Sequence, residues 1–462
     1  MSSRGDRTLG RNYWMAGAGL LLILLIGTAY WGWQQRNLQQ EYRLMLENER
    51  QQAFFELVEH VQDINILLGK TLVASSPNQT QVLLARIQRE SSAAAENMGS
   101  FPATQQLART TKFLAQIGDL SSTLAEQTAH GNLVRDEQWQ QLYDLQQNVS
   151  LVQSELQELS AQAMSGGFNW VETRKELAAR LKPEQTQQAS GNLDNLEQMI
   201  EKFPSLRYDG PFADQNLDQE PRALSGSAIG QAEARKIAES WLPIDPSAYN
   251  LTLVEETDQP IPVYSWQAAP RSGSGAQYRI DISQQGGHVV WWMSDQRSGE
   301  SRLSIEEASR RALQFLQDQG IGQIEKIGHT RMGNDLYVAI AKVAHDTIIY
   351  PDLFKVRVSL EDGSILGYDA ATYLMNHHDR PAEQFQSPLT PEAMVDALNP
   401  RLYILSWRKA IIPARDGRQE VLTYEYRVQL EDQVYLVYLN VQTAQEEEIL
   451  RVLVTSEGEF TL

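Results

Sequence analysis

With no cysteine among its 462 residues and only seven histidines, the chain has few side chains able to ligate a transition metal or attack a substrate. Such residues crowd together only at His377-His378-Asp379. Neighbouring residues point to opposite faces of a strand and diverge by about 100° around a helix, so the pair is badly disposed to chelate one ion, and the segment reads as a solvated loop. No HExxH, GxSxG or P-loop pattern occurs, which removes the metalloprotease, serine hydrolase and nucleotide-binding signatures. A glycosidase needs only two suitably spaced carboxylates, and 59 Asp and Glu leave that chemistry open. No catalytic, cofactor-binding or metal-ligating residue is assigned, and no cofactor is expected.

Residues that could hold a partner are easier to name. Trp291 and Trp292 are adjacent; in a strand they face opposite ways, so one indole packs inward and the other is available to a neighbouring unit or another protein. Asp209, Gly210, Pro211 and Phe212 form a turn that cannot continue a helix and carries an exposed aromatic. The acidic run Glu446-Glu447-Glu448 reads as a solvated hairpin turn.

The element that places all of these is Met15 to Trp33, an uncharged apolar stretch that is roughly 28 Å long as a helix, enough to cross a bilayer core. Arg4, Arg7 and Arg11 precede it with only Asp6 against them, which puts residues 1–14 in the cytoplasm and the bulk of the chain outside. Tyr13 and Trp14 on one side and Tyr30, Trp31 and Trp33 on the other match the aromatic belts of a retained anchor. The alternative is a cleaved signal peptide with Gly27 and Ala29 at the cut. An exported chain without cysteine is held by packing alone. Its 40 Lys and Arg against 59 Asp and Glu, net charge −19 and pI near 4.9 exclude nucleic acid and disfavour anionic wall polymer as electrostatic partners.

Residues 34–204 read as an all-α up-and-down bundle. The spacing of Phe54, Leu57, Val58, Val61, Ile64 and Leu68 predicts a helix stopping near Ser75 to Pro77, followed by helices over 80–98, 103–129 and 136–163. Shorter ones are expected over 168–180 and 192–203. The glutamine-rich composition permits a homo-oligomer, without heptads sustained enough for a long coiled coil. Residues 205–224 read as a linker. Beyond Ser225 the pattern repeats at about 75-residue intervals. Each unit opens with a short helix bearing Glu-Ala (Glu233-Ala234, Glu307-Ala308, Glu392-Ala393) and ends in a hairpin starting at Tyr278, Phe354 or Leu436. Gly286-Gly287 and Asp362-Gly363 are turn signals; Thr443-Ala444 in the third unit predicts a looser turn. Three α+β units follow, over 225–298, 299–380 and 381–462, each a helix on a small antiparallel sheet.

These parts together resemble the YpeB family of spore germination proteins: an anchor, a helical region and three helix-plus-sheet modules of the PepSY type. The resemblance is carried by INILLGKTLVASSP from Ile64, IGDLSSTLA from Ile117, YDGPFADQ from Tyr208, GGHVVWW from Gly286 and YPDLFKVRVSLEDGSILGYDAATYLMNHHDR from Tyr350. It implies a non-enzymatic, single-pass protein of the spore inner membrane that holds, localises and restrains a cortex-lytic hydrolase of the SleB type until germination. An alternative from another class is an extracytoplasmic sensor whose four-helix bundle detects a ligand and acts through a second membrane protein. A third is a wall-degrading enzyme.

Overall fold

The computed structural model describes residues 48–99, 105–166, 220–257, 260–414, 419–455 and 458–462, with isolated positions before 48. The expected anchor at 15–33, the helices at 168–180 and 192–203, and most of the linker lie outside them. Among the described residues no helix is long and apolar enough to cross a membrane.

Four long helices come first: α1 over 48–73, α2 (Pro77–Gly99), α3 (Gln105–Ala129) and α4 (Asp136–Gly166). Apolar residues three and four apart make one buried stripe on α1, where Phe54, Leu57, Val58, Val61, Ile64 and Leu68 are each at most 1% exposed. Pro77 opens α2, where a missing N–H is harmless. The described residues fall into two compact units, one taking those up to Asn65 with Ile87–Leu120 and 147–166, the other taking Ile66–Arg86, Ser121–Gln146 and 220–462. In the first, Asn65 donates to Gln153 at 2.5 Å and His60 meets Glu90 at 2.8 Å. In the second, Trp139 donates its indole N–H to the Leu72 carbonyl and Gln138 bonds Gln127. Of these pairings one joins α1 to α2 and one α3 to α4, neighbours in sequence as their short loops predict, and the other two join α1 to α4.

The rest is built on thirteen strands: β1 (Tyr249–Thr257), β2 (Val263–Pro270), β3 (Tyr278–Ser283), β4 (Val289–Ser294), β5 (Ile324–Met332), β6 (Asp335–Ala344), β7 (Thr347–Ser359), β8 (Ile365–Asp369), β9 (Tyr403–Pro413), β10 (Glu420–Leu430), β11 (Gln433–Asn440), β12 (Glu446–Thr455) and β13 (Gly458–Thr461). They pair in the order β1-β2-β3-β4-β8-β7-β6-β5-β13-β12-β11-β10-β9, with a further pairing of β7 to β9. The three predicted hairpins are β3–β4, β7–β8 and β11–β12. Their turns place Gly287 at φ 67°, Gly363 at φ 78° and, in the third, Ala444 at φ 57°. The third turn therefore keeps the left-handed geometry without the glycine that makes it easy.

Three separate sheets do not form. β4 pairs with β8, so the strands of 225–298 and 299–380 share one eight-stranded antiparallel sheet. An unpaired edge is a row of open hydrogen-bonding groups, and two such edges in one chain satisfy each other. Helices α5 (Gln231–Trp241) and α6 (Ile305–Asp318) pack on this sheet over a common core. Their Glu-Ala pairs bury the alanine, Ala234 and Ala308 both being 0% exposed, which lets each helix lie close to the strands. Ser304 caps α6 by accepting from the Glu307 N–H at 3.2 Å. A short helix, α7 (Ala371–Asn376), follows β8.

The third unit departs from the expectation. LTPEAMVDAL forms only a 3-10 segment, Glu392–Ala397, with Ala393 exposed and Met394 buried. Pro391 and Pro400 leave room for no more than two turns, too short a lid for a sheet. Here the sheet curls instead: β7, β6, β5, β13, β12, β11, β10 and β9 pair successively, and β9 returns to β7 in parallel through Thr347–Ile349 and Lys409–Ile411. Eight strands make a closed ring. The seam between β13 and β5 is a single pairing, Gly458 with Thr330.

Candidate functional site

The ring and the helix-covered sheet diverge on β7. Its first residues, Thr347–Ile349, pair with β9 and its later ones, Lys355–Val358, pair with β8. Opposite β6 the register jumps from Ile349 to Leu353, leaving Tyr350-Pro351-Asp352 as a bulge. Proline suits that position because it has no N–H to give a ladder.

Asp352 turns to one side of the fork and is fully buried. Arg380 donates to it at 2.9 and 3.0 Å and to Glu420 of β10 at 2.7 Å through Nε and Nη2. His377 Nδ1 lies 2.6 Å from Asp352, and Gln384 donates to Glu420. Burial alone would lower the Arg380 pKa, but the hydrogen bonds and charges of Glu420 and Asp352 outweigh it and hold the guanidinium ionised. The segment expected to be a solvated loop is so only in part: Asp379 is exposed and His378 half-buried, while the half-buried His377 and the buried Arg380 side chain take part in an ion cluster joining β7 to β10. Two carboxylates drawn together by the fold need a cation between them, and Arg380 is only two residues from His378. Among the described residues no group of His, Asp and Glu is arranged to hold a metal.

Tyr350 turns to the other side, into the ring. Its hydroxyl donates to Glu425 and accepts from Arg408 Nη2 at 2.7 Å, while Arg408 Nε donates to Glu425 at 2.7 Å. The ring of Tyr350 meets Tyr438 edge to face at 6.2 Å. Burial raises the pKa of both phenols, so they stay protonated. Ala341, Ile348, Ala410, Ile412 and Val452 fill one part of the ring with apolar side chains. The other part is a cavity of about 230 Å³ lined by residues from all eight strands.

A third arrangement joins the turn between α1 and α2 to β12. Glu446, expected in a solvated turn, is 4% exposed. It accepts from the backbone N–H groups of Ser75 and Ser76 at 2.9 Å each and from both hydroxyls at 2.9 and 2.8 Å. Burial raises its pKa, and the four serine donors oppose that rise without cancelling it. Around it Asn399 donates to the Leu72 carbonyl at 3.0 Å, Arg401 pairs with Asp136 and lies 4.5 Å over the Trp139 ring, and Tyr143 donates to Glu431. The run of three glutamates concealed this, because a carboxylate meant for a pair of N–H groups looks like any other in sequence.

Of the partner contacts read from sequence, Asp209, Gly210, Pro211 and Phe212 lie outside the described residues. Trp291 is half-buried, its indole N–H donating to Asp281 at 2.5 Å. Trp292 is 1% exposed, among Tyr278 and Phe315 at 6.2 and 6.4 Å. Trp292 is therefore core, not partner surface: it faces the side of the sheet on which α6 lies. A surface that the sequence reading passed over is at the start of β9, where Tyr403, Leu405 and Trp407 are 71%, 43% and 48% exposed. A bulge at Leu405 breaks the alternation, with Ser406 opposite Arg427 and Ile404 opposite Val428, so Tyr403 shares the face of Gln429 and Trp407 that of Tyr426, and apolar side chains are exposed on both faces of this strand end. Residues 403–408 pair only with β10 among the described strands, leaving the far side of that strand open.

Comparison with known proteins matches two family models. One, described as YpeB N-terminal, covers residues 38–172; the other, described as YpeB sporulation, PepSY1 and PepSY2 domains, covers residues 189–383. The sporulation protein YpeB of Halalkalibacterium halodurans is 28% identical over 435 residues, 93% of this chain and 96% of that protein. That of Bacillus subtilis is 26% identical over 446 residues, 93% of this chain and 95% of that protein. A solved structure, the Bacillus megaterium YpeB C-terminal domain, is 25% identical with a TM-score of 0.44, covering 49% of this chain and 99% of that one.

Proposed function

The chain belongs to the YpeB family of sporulation proteins, and from that membership we propose that it is a membrane-anchored, non-enzymatic holder of a cortex-lytic hydrolase of the SleB type. Residues 15–33 fix it in the spore inner membrane with the bulk of the chain outside. It localises and restrains the enzyme until germination, when cortex peptidoglycan is degraded.

The observation that supports this reading best is the opening of β9. An unpaired strand side next to Tyr403, Leu405 and Trp407 offers main-chain groups for strand addition and exposed apolar side chains for anchoring. Exposed apolar groups clustered in this way mark protein contacts. The buried seat of Glu446 supports the same reading from another direction, since it secures β12 to the turn between α1 and α2 in one compact unit.

The test is co-purification of the full chain with the hydrolase and assay of muropeptide release. Wild type is expected to bind and inhibit; Leu405→Lys and Trp407→Glu, both at exposed positions, are expected to lose the complex and free the activity. If both folded variants still bind and inhibit, β9 is not the contact. If wild type neither binds nor inhibits, the holding role itself fails.

A further inference from the structure

The cavity inside the strand ring has chemistry that the holding role does not use. Ile327, Ala339, Leu436 and Val452 give it an apolar wall, and Tyr350 and Glu425, 1% and 4% exposed, form its buried end. Met332 lines it too and is 52% exposed, so the space reaches solvent there. At about 230 Å³ it exceeds the roughly 150 Å³ apolar cavity that accepts benzene. Closed eight-stranded walls of this kind have room for one small ligand.

The charges around it are spent on one another. Arg408 Nε donates to Glu425 at 2.7 Å, and its Nη1 lies 3.6 Å from Glu325, which stands outside the lining. The other oxygen of Glu425 accepts from Tyr350. Both Nη groups of Arg427 donate to Glu459, at 2.8 and 3.0 Å. Lys355 has a partner of its own. An ion entering this space would lose its water and meet no free counter-charge, or would break a pair and strand one of its members.

The hydrogen-bonding groups left over are neutral. Thr330 of β5 lies opposite Tyr337 of β6, on the strand face that carries Ala339, and Thr461 of β13 lies opposite Val452. All three line the cavity, and none of their hydroxyls has a partner among the described residues. Thr330 is 4% exposed, so its hydroxyl is largely withheld from bulk water, a costly position that a bonded ligand relieves. Burial raises the Tyr337 pKa, so the phenol keeps its proton.

We propose that the ring formed by β5, β6, β7 and β9–β13 is a binding pocket for a small uncharged molecule, an amide or alcohol on a compact apolar body. The body lies against Ile327, Ala339, Leu436 and Val452, and the polar group bonds the hydroxyls of Thr330 and Tyr337. Tyr403, Leu405 and Trp407 take no part in it, so the site stands or falls separately from hydrolase binding at β9.

The probes are phenylacetamide, its charged counterparts phenylacetate and phenethylamine, and toluene, the body without a polar group. Each is titrated into the full chain at pH 7 and followed by calorimetry and saturation-transfer NMR. Phenylacetamide is expected to bind saturably at one site, about tenfold or more tightly than either ion. Thr330→Val removes a hydroxyl at constant shape and should weaken the amide about fivefold while leaving toluene unchanged. Ala339→Phe should fill the cavity and abolish binding of both. Should Thr330→Val fail to fold, Tyr337→Phe supplies the same amide-to-toluene ratio. No binding of phenylacetamide, an ion bound as tightly as the amide, or an unchanged ratio in the folded hydroxyl variant overturns the proposal, as does undiminished binding by folded Ala339→Phe.

Discussion

The sheet under α5 and α6 and the ring of β5–β7 with β9–β13 are built from the same repeated signals, yet they close their cores in opposite ways. Over the first, helices supply a dry lid, and the interior is a run of rings in which Trp241, Tyr368, Phe315 and Trp292 stand 5.2 to 6.4 Å apart. In the second the third unit's own helix is reduced to a 3-10 segment, and the sheet closes on itself, with a polar interior of Tyr350, Glu425 and Arg408. The difference goes with the length of one helix, cut short between Pro391 and Pro400. β5, β6 and β7 belong to both, and the bulge of β7 at Tyr350-Pro351-Asp352 is where the two solutions meet.

Substitutions can break this contrast. The largest effect is expected at the fork: Arg380→Met leaves Asp352 and Glu420 buried together without a cation and should cost about 5 kcal/mol, the upper end of losses on breaking a buried pair, measured by urea unfolding. Combining it with Asp352→Asn and Glu420→Gln should recover much of that, because the unpaired charges rather than the missing contact dominate. On the dry side, Trp292→Ala should cost about 4 kcal/mol through lost packing alone, and no change of its neighbours' charge should rescue it. A smaller loss is expected at the seam. Gly458 sits at φ 142°, and a Cβ there would lie 2.4 Å from the His329 carbonyl oxygen, so Gly458→Ala should cost about 2 kcal/mol in strain and weaken the ring before the covered sheet.

The smallest effect is a slope. Burial raises the Glu446 pKa above its ordinary 4.5, so the folded state binds its proton more tightly than the unfolded one. Its contribution to stability is greatest below pH 4.5 and declines as pH rises through the folded value. Glu446→Gln should flatten that part of the stability curve between pH 4.5 and 7. If wild type and variant run parallel over that range, the serine donors fully offset the burial.

Much of this fold can be read from residue order. Apolar spacing on α1 marked its buried stripe, Glu307-Ala308 marked α6, and Gly-Gly and Asp-Gly marked two hairpins, because each depends on residues within one turn or one strand of each other. The motif from Tyr350 to Arg380 stood out as distinctive while its meaning stayed hidden. Its two ends, Asp352 and Arg380, are 28 residues apart and meet only once β7 has been bent by its bulge. The apolar residues of YILSW are plain in the sequence, but their exposure depends on what covers the strand, and their faces depend on a bulge at Leu405 that only the pairing with β10 creates.

By itself the sequence determined the helical and strand-rich halves, the turns and the repeat, since local sterics and the periods of helix and strand act within a few residues. It also excluded thiol chemistry and marked the apolar stretch at 15–33. Only the tertiary structure decided that two units share a sheet while the third curls into a ring, that Trp292 is core, and that Glu446 and Arg380 are buried. Those outcomes rest on which strand edges meet and which charges are desolvated together, and both are set by parts of the chain far apart in order.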